Sequence, residues 1–207
     1  MKYSSSTSSR QVITAAVVIT IVAAAVFVPR RITAQEPTNT VLEAATNPPA
    51  TPHTNMNTIE MKRYKSAQWN FAIDIPTFWN AFPPVSSNSP FEVIRFLSKV
   101  DGTNVLIIFR APYDPTVSLK KFVDGPRKIL ADAGFGNFVY GETTIGSRPV
   151  VTLDFDKPTD GGIWSVRHYF ISDGKMVYVL GFGTSNKAAK FELFERMAKS
   201  FEILAEP

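Results

Sequence analysis

Residues 149–182 read PVVTLDFDKPTDGGIWSVRHYFISDGKMVYVLGF, and most of the predicted fold follows from this stretch. Apolar and polar residues alternate through three segments of it, a period that is typical of half-buried β-strands. Glycine-containing turns at residues 161–162 and 172–175 separate these segments. With a fourth segment at residues 138–142, joined through Gly146, they predict a four-stranded meander. Strands joined by such short turns are antiparallel.

The same alternation predicts further strands upstream of the meander. One strand covers residues 71–75 and ends at Pro76, because proline cannot donate the hydrogen bond that continues a ladder. Two more strands, at residues 91–99 and 104–111, flank an Asp-Gly pair at 101–102 that favours a hairpin turn. The sheet is therefore predicted to be antiparallel.

A helix is predicted at residues 119–133, where apolar residues recur at helical spacing. Thr116 or Ser118 is its expected N-cap, and Gly134 is expected to stop it. A Gly-Pro pair at 125–126 lies inside this segment. Because proline lacks an amide hydrogen and clashes with the preceding turn, we expect this pair to kink the helix or split it in two.

A second helix is predicted from about residue 186 to residue 200. Its apolar residues lie three or four positions apart, so they form one stripe that has to cover the sheet. The stripe consists of Phe191, Phe194, Met197 and Phe201. Residues 61–207 are therefore predicted to form a single α+β domain, with an antiparallel β-sheet packed by two main helices.

A segment of a different kind precedes this domain. Residues 12–28 carry no charge, and ten of these 17 residues are Val, Ile or Phe. Each of the ten favours insertion into a bilayer by ~0.3–0.6 kcal/mol near its centre. We expect residues 12–28 to contact the lipid bilayer as a transmembrane or signal helix, within an N-terminal segment at residues 1–32. Residues 33–60 are rich in Thr, Pro and Asn and are predicted to be a disordered linker.

The residues that flank this helix leave two alternatives for it. Pro29 and the Ile-Thr-Ala tripeptide before Gln35 fit a cleaved signal peptide, which leaves a secreted or periplasmic protein. Arg30 and Arg31 lie where signal peptides avoid positive charge. We therefore expect an uncleaved, single-pass anchor in the cell membrane, with the N-terminus inside and the domain outside. Both alternatives predict export.

Composition excludes several classes of protein. The chain has no Cys, so disulfides, thiolate metal sites and a lipidated Cys anchor are impossible. Residues 61–207 hold 18 Lys or Arg and 15 Asp or Glu, with no basic run longer than two residues. The resulting net charge of +3, spread along the domain, is not the basic patch that binds nucleic acid. We expect no nucleic-acid partner.

Candidates for catalysis or metal binding are few. The domain contains one histidine, His168, and no P-loop, zinc motif or recognisable nucleophile–base–carboxylate set. We interpret His168 as a hydrogen-bonded, partly buried strand residue. Asp154, Asp156 and Asp160 form an acidic cluster, but a calcium site needs roughly six to eight oxygen ligands in a shaped loop. We expect these carboxylates to be solvated and to pair with a cross-strand arginine such as Arg167.

Two further interpretations concern the function of the domain. Trp164 is a candidate binding residue, because its position beside Gly162 leaves one edge of the indole open to a ligand. The alternative to a binding module is an enzyme or metal-dependent hydrolase, with a site assembled from distant residues around His168, Asp154 and Asp156. From the sequence we expect a protein that is not an enzyme and that has no cofactor.

Several stretches resemble the PsbP-like domain superfamily. Residues 64–79, YKSAQWNFAIDIPTFW, are similar to the opening of these domains, where an aromatic-rich strand ends in Pro and is followed by Trp. The Gly-x-x-Pro-Val-Val strand from Gly146 and the Asp-Gly turn before Val177 are similar to the second half. A final helix that ends in Lys-Ser-Phe at Phe201 completes the likeness. The superfamily includes photosystem II PsbP, a yeast Ran-binding import factor and bacterial envelope proteins.

This resemblance implies an α-β-α sandwich and a non-catalytic accessory or binding role. None of the calcium, chloride or manganese-cluster contacts of PsbP matches a position in this chain. We therefore expect an exported, membrane-tethered binding or assembly module of the cell envelope. Its partner is expected to be an unidentified protein or small ligand.

Overall fold

The computed structural model describes residues 59–85, 89–100 and 104–205 of the chain. The predicted anchor at residues 12–28 and all but the last two residues of the predicted linker lie outside the described residues. Neither helix in the described part of the chain combines the length and apolarity needed to cross a membrane. In chain order, the described elements are β1 (Met61–Ser66), β2 (Phe71–Pro76), β3 (Trp79–Phe82), β4 (Glu92–Ser98), β5 (Asn104–Pro112), α1 (Leu119–Asp132), β6 (Gly136–Ile145), β7 (Arg148–Thr159), β8 (Gly162–Ser172), β9 (Met176–Thr184), α2 (Lys187–Lys199) and β10 (Glu202–Ile203).

Seven strands form one antiparallel sheet in the order β3-β4-β5-β9-β8-β7-β6. The predicted meander is confirmed, because β6, β7, β8 and β9 pair with one another in sequence. Strand β5 pairs with β9 along its whole length, from Asn104 opposite Thr184 to Pro112 opposite Met176. This pairing joins the β4–β5 hairpin to the meander, and β6 becomes one edge of the sheet.

The prediction of a single sheet is wrong, because β1, β2 and β10 form a second sheet with β2 at its centre. Strand β1 reads MKRYKS and buries none of its residues fully, and β10 contains two residues. Neither has the apolar alternation or the length that identifies a strand from sequence. Strand β3, with four residues, is missed for the same reason.

The large sheet carries one helix on each face. Helix α1 buries Val123 and Leu130 against one face, which we call the α1 face and which includes Leu153 of β7. Helix α2 and the small sheet cover the other face, the α2 face, where Phe194 and Met197 are buried. The predicted α+β class, with antiparallel strands and two packing helices, is confirmed. The predicted N-terminal helix lies outside the described residues.

Helix α1 is continuous and capped at its N-terminus. The Ser118 hydroxyl accepts a hydrogen bond from the Lys121 amide at 3.2 Å, so Ser118 rather than Thr116 is the N-cap. Gly134 follows the helix with a φ of 85°, which glycine adopts without steric cost. Pro126 is buried inside the helix, and the helix continues through it. The Gly-Pro pair therefore does not split α1 in two.

The apolar stripe predicted on the last helix is confirmed. Phe194 and Met197 are fully buried, and Phe201, just after α2, is 5% exposed. Phe191 lies at the margin of the stripe and is partly buried, while Leu193 widens it. Helix α2 therefore lies with this stripe against the sheet, as its spacing predicts.

The packed domain begins slightly before the predicted boundary at residue 61. Ile59 is buried in the apolar cluster of the α2 face. The carbonyl of Glu60 accepts a hydrogen bond from the Thr77 amide at 3.0 Å. These two residues belong to the folded domain rather than to a linker.

Candidate binding site

His168 lies on the α1 face and is more deeply buried than predicted. The residue is 3% exposed, and its ring packs edge-on against Phe155 with 4.8 Å between ring centroids. Its Nδ1 atom has no hydrogen-bond partner among the described residues. Burial lowers the pKa of His168 to about 3, so the imidazole is neutral near pH 7. His168 was predicted to be partly buried and hydrogen-bonded. In the structure it is fully buried, and one ring nitrogen is unpaired among the described residues.

The predicted cross-strand ion pair between Asp154 and Arg167 is confirmed. The two residues lie opposite each other in β7 and β8, and the guanidinium donates two hydrogen bonds of 2.6 Å to the carboxylate. The side chains of Asp154 and Asp156 are each 17% exposed, so they are less solvated than predicted. Lys187 Nζ lies 3.8 Å from Asp156 Oδ1, which forms no hydrogen bond within the described part of the chain.

The three aspartates of the predicted acidic cluster do not lie together as one group. Asp160 lies in the exposed turn between β7 and β8, beyond Asp154 and Asp156. Across residues 59–85, 89–100 and 104–205, no three His, Cys, Asp or Glu side chains converge to hold a metal ion.

The alternative enzyme site around His168, Asp154 and Asp156 is not assembled. The imidazole contacts Phe155 and Phe170 on the α1 face. Asp154 accepts hydrogen bonds from Arg167 on the α2 face, where the guanidinium packs against helix α2. Because neighbouring residues of a strand point to opposite faces, the sheet itself separates the imidazole from the two carboxylates.

Trp164 packs on the α1 face near the start of β8. It is partly buried at the margin of the apolar cluster on that face. Its indole covers Gly183 of β9, where an added Cβ would lie 2.7 Å from the Trp164 Cζ2 atom. Glycine at this position therefore makes room for the indole. The binding role of Trp164 stays a prediction.

A polar cleft lies on the α2 face, between the β6 edge of the large sheet and helix α2. We call it the α2 cleft. It encloses about 150 Å³, and a cavity of roughly this volume accommodates a molecule of the size of benzene. Most of its lining side chains are polar or charged, in contrast to the apolar cluster beside it. The lining residues are Thr143, Thr144, Ile145, Thr152, Arg167, Tyr169, Glu195, Ala198 and Lys199.

Tyr169 places a buried hydroxyl in this cleft. The residue is 3% exposed, and its hydroxyl has no hydrogen-bond partner among the described residues. Burial raises the pKa of the Tyr169 phenol, an effect that the nearby Arg167 guanidinium partly opposes. The hydroxyl therefore stays protonated near pH 7. It lies near Arg167 but forms no hydrogen bond of good geometry with the guanidinium. It can donate and accept hydrogen bonds to a ligand.

Arg167 is fixed beside Tyr169 by two contacts. Asp154 binds its guanidinium through two N–H groups, and the Phe191 ring centroid lies 4.6 Å from its Cζ atom. The hydrogen bonds with Asp154 raise the pKa of Arg167, so the guanidinium is always charged. A guanidinium has five N–H donors, and the pair with Asp154 uses only some of them. Arg167 is therefore a preorganised donor at the cleft.

Glu195 and Lys199 form the outer rim of the cleft, one turn apart on α2. Lys199 Nζ lies 2.8 Å from Glu195 Oε1, and both side chains are at least half exposed. The hydrogen bond with Lys199 lowers the pKa of Glu195. Each cation that lines the cleft therefore has a carboxylate partner, Asp154 for Arg167 and Glu195 for Lys199.

Gly141 gives the Thr152 hydroxyl its place in the cleft. The two residues lie opposite each other in β6 and β7, and Thr152 lies opposite Tyr169 in β8. A Cβ at Gly141 would lie 2.5 Å from the Thr152 Oγ1 atom. A glycine is therefore needed at 141 for this hydroxyl to extend over β6.

The sequence analysis did not identify the α2 cleft, although it paired Arg167 with Asp154. One available signal was the row of polar residues on strand faces that are otherwise apolar, such as Thr152 and Tyr169. That row becomes a site only when the strand register and the position of α2 are known. Neither property is local in the sequence.

The two-helix sandwich around a seven-stranded antiparallel sheet is a PsbP-like fold, as the sequence resemblance predicted. No family model and no curated protein sequence matches the chain. The solution structure of cyanobacterial PsbP (CyanoP) from Synechocystis sp. PCC 6803 is similar with a TM-score of 0.56 at 14% identity. That match covers 69% of this chain and 92% of CyanoP.

Two other solved structures are similar to this chain. A protein from Bacteroides thetaiotaomicron VPI-5482 has a TM-score of 0.51 at 13% identity, over 70% of this chain and 49% of its own length. LpqN of Mycobacterium tuberculosis, which is involved in cell envelope biogenesis, has a TM-score of 0.44 at 14% identity, over 77% of this chain and 100% of LpqN. The CyanoP and Bacteroides likenesses show the fold alone, because one fold hosts many unrelated functions.

Proposed function

We propose that this protein is a non-catalytic binding module of the cell envelope, which holds its ligand in the α2 cleft. The observation that carries the proposal is the buried, unpaired hydroxyl of Tyr169 beside the fixed guanidinium of Arg167. An unpaired buried hydroxyl costs about 1–3 kcal/mol, and a ligand that supplies the missing hydrogen bond offsets this cost. A pocket with a few convergent polar groups is the usual form of a small-ligand site.

The N-terminal sequence supports a tether to the membrane. Residues 12–28 contain no charge, and as a helix they would span about 25 Å, close to the thickness of a hydrocarbon core. A disordered linker over residues 33–58 would have a root-mean-square reach of roughly 30 Å. In this proposal the anchor stays uncleaved, with the N-terminus inside, and the linker holds the cleft outside the membrane.

The state of the titratable groups supports binding rather than catalysis. A general base needs a free acceptor within hydrogen-bond reach of its substrate. Both oxygens of Asp154 accept hydrogen bonds from Arg167, and Glu195 is paired with Lys199. The neutral His168 lies behind the sheet, on the α1 face. The α2 cleft is therefore equipped to hold a ligand by hydrogen bonds.

A photocrosslinking residue at the mouth of the cleft tests this proposal. Thr143 is exposed, lines the cleft and lies on the α2 face, so a photoreactive amino acid at this position of the full-length chain lies within reach of a bound ligand. We expect irradiation of intact cells to give a covalent adduct, detected as an added mass on the protein. The adduct should become weaker when Tyr169→Phe is introduced, because the variant loses one hydrogen bond to the ligand.

The matched control carries the photoreactive residue at Lys128, which is 76% exposed on the outer side of α1. This position should give no adduct of the same mass. Equal adducts from both positions, or no adduct from position 143, would contradict a ligand in the α2 cleft.

A further inference from the structure

We infer that the α2 cleft binds a neutral ligand rich in hydroxyl groups, with one sugar-sized ring as the bound unit. This inference rests on the proposed function, because it names the ligand class of the same site. Two properties of the cleft carry it. The charges of the cleft are paired within the protein, and most of its other polar groups are hydroxyls.

The pairing of charges disfavours an ionic ligand. Arg167 lies 2.6 Å from Asp154, and Lys199 lies 2.8 Å from Glu195. A charged group that is buried without a partner has lost its hydration, and a ligand of opposite charge compensates for that loss. An anionic ligand therefore needs an unpaired cation in the site, and a cationic ligand needs an unpaired carboxylate. The cleft offers neither arrangement. Arg167 still donates hydrogen bonds through N–H groups that Asp154 does not use, and these suit a neutral acceptor.

The remaining polar groups match alcohol groups in a ligand. Thr143, Thr152 and Tyr169 lie on the α2 face of the sheet and line the cleft with three hydroxyls. A hydroxyl donates one hydrogen bond and accepts others, whereas a carboxylate only accepts and an ammonium group only donates. A ligand with several hydroxyls can therefore satisfy the buried phenol of Tyr169 in either direction.

The size of the cleft limits the ligand to one ring. Its volume of about 150 Å³ is that of a cavity which holds a six-membered ring. Thr143 and Lys199 are exposed at the mouth, so a substituent on the ring can extend into solvent. A terminal sugar of a larger glycan fits this geometry as well as a free monosaccharide does.

Calorimetric titration of the full-length protein with defined probes tests the ligand class. The protein is placed in phospholipid nanodiscs, because glycoside detergents would compete for the cleft. The neutral probes are the methyl glycosides of glucose, galactose, mannose and N-acetylglucosamine, and the charged probes are acetate, inorganic phosphate and ethanolamine. We expect at least one neutral probe to bind, with the same dissociation constant at low and high salt, since salt screens only charged ligands.

Two variants place this binding in the α2 cleft. Tyr169→Phe should weaken the affinity for the neutral probe about tenfold, which is the effect of losing one hydrogen bond. Thr152→Val removes a second hydroxyl at nearly constant shape and should also weaken it, which keeps the test valid if Tyr169→Phe does not fold. The control is Tyr140→Phe, because the Tyr140 hydroxyl bonds Asp124 of α1, on the opposite face. Its affinity should be unchanged.

Three results would overturn the inference. One is tighter binding of acetate or phosphate that weakens at high salt, and another is the failure of every neutral probe up to its solubility limit. The third is neutral-probe binding that Tyr169→Phe and Thr152→Val leave unchanged, which places the site elsewhere. A Thr143 crosslinking adduct alongside any of these results keeps the proposed function and rejects only the ligand class. Absence of that adduct rejects the proposed function itself.

Discussion

Tyr169 and Tyr178 lie on the same face of the sheet, but their hydroxyls have different surroundings. The Tyr178 hydroxyl accepts a hydrogen bond from Arg110 Nε at 3.1 Å and donates one to the Trp69 carbonyl at 2.9 Å. The Tyr169 hydroxyl has no partner within the described part of the chain. A structural hydroxyl and a ligand-binding hydroxyl should therefore respond differently to the same substitution.

The expected result is a loss of about 1–2 kcal/mol in the free energy of unfolding for Tyr178→Phe. Tyr169→Phe should change it by less than roughly 0.5 kcal/mol, or increase it, because no hydrogen bond is lost. Urea unfolding of a chain that begins at Asn57, and so keeps Ile59, measures both values. A loss for Tyr169→Phe as large as that for Tyr178→Phe would mean that its hydroxyl has a structural partner.

His168 predicts a pH dependence of stability. Burial against Phe155 lowers its pKa from 6.5 to about 3, so below pH 6.5 the unfolded chain takes up a proton that the native protein does not. Stability should therefore be highest above pH 6.5 and fall as the pH decreases, by about 1.4 kcal/mol per pH unit at most. Unfolding between pH 7 and pH 5, compared with a His168→Leu variant, isolates this contribution. Equal slopes for the two proteins would contradict the burial of a neutral imidazole.

At the scale of elements, the orientation of α2 is set by its apolar stripe. Phe194 is fully buried and its ring lies 4.9 Å from that of Phe182 in β9, whereas Glu195 is half exposed. Phe194→Ala leaves a cavity and should cost about 3–5 kcal/mol of unfolding free energy. Glu195→Ala should cost less than roughly 0.5 kcal/mol, since it removes only an exposed ion pair. Urea unfolding of both variants measures these changes in the free energy of unfolding. A larger loss for Glu195→Ala than for Phe194→Ala would mean that α2 presents its opposite side to the sheet.

The elements that sequence predicted are those whose signals are local. Strands β6–β9 alternate apolar and polar residues between glycine turns, and both helices have apolar residues at helical spacing. Strand β1 has no such pattern, because its polar residues are exposed and its pairing with β2 comes from the tertiary structure. The Gly-Pro pair at 125–126 predicted a kink or a split of α1, and the helix is not split, since packing of the buried Pro126 overrides the local preference.

At the scale of the whole molecule, the candidate site depends on contacts that sequence does not show. The α2 cleft needs the register of β6, β7 and β8 and the docking of α2, which follows them by some tens of residues. The Asp154–Arg167 pair was predictable because both residues belong to neighbouring strands of one hairpin. Strand period places Asp154 and Asp156 on one face of β7, but only the β7–β8 register and the packing of α1 show that His168 is buried on the other face.

The location of the domain is the part of the proposal that a single measurement tests most directly. Protease is added to intact cells that carry an epitope after the domain, and membranes are then washed with alkaline carbonate. We predict that the full-length chain stays in the membrane pellet before digestion. We also predict that protease cuts the linker at residues 33–58 and removes the epitope without cell lysis. Mature protein that begins near Gln35 and leaves the pellet would contradict the uncleaved anchor, and an epitope digested only after lysis would contradict display outside the membrane.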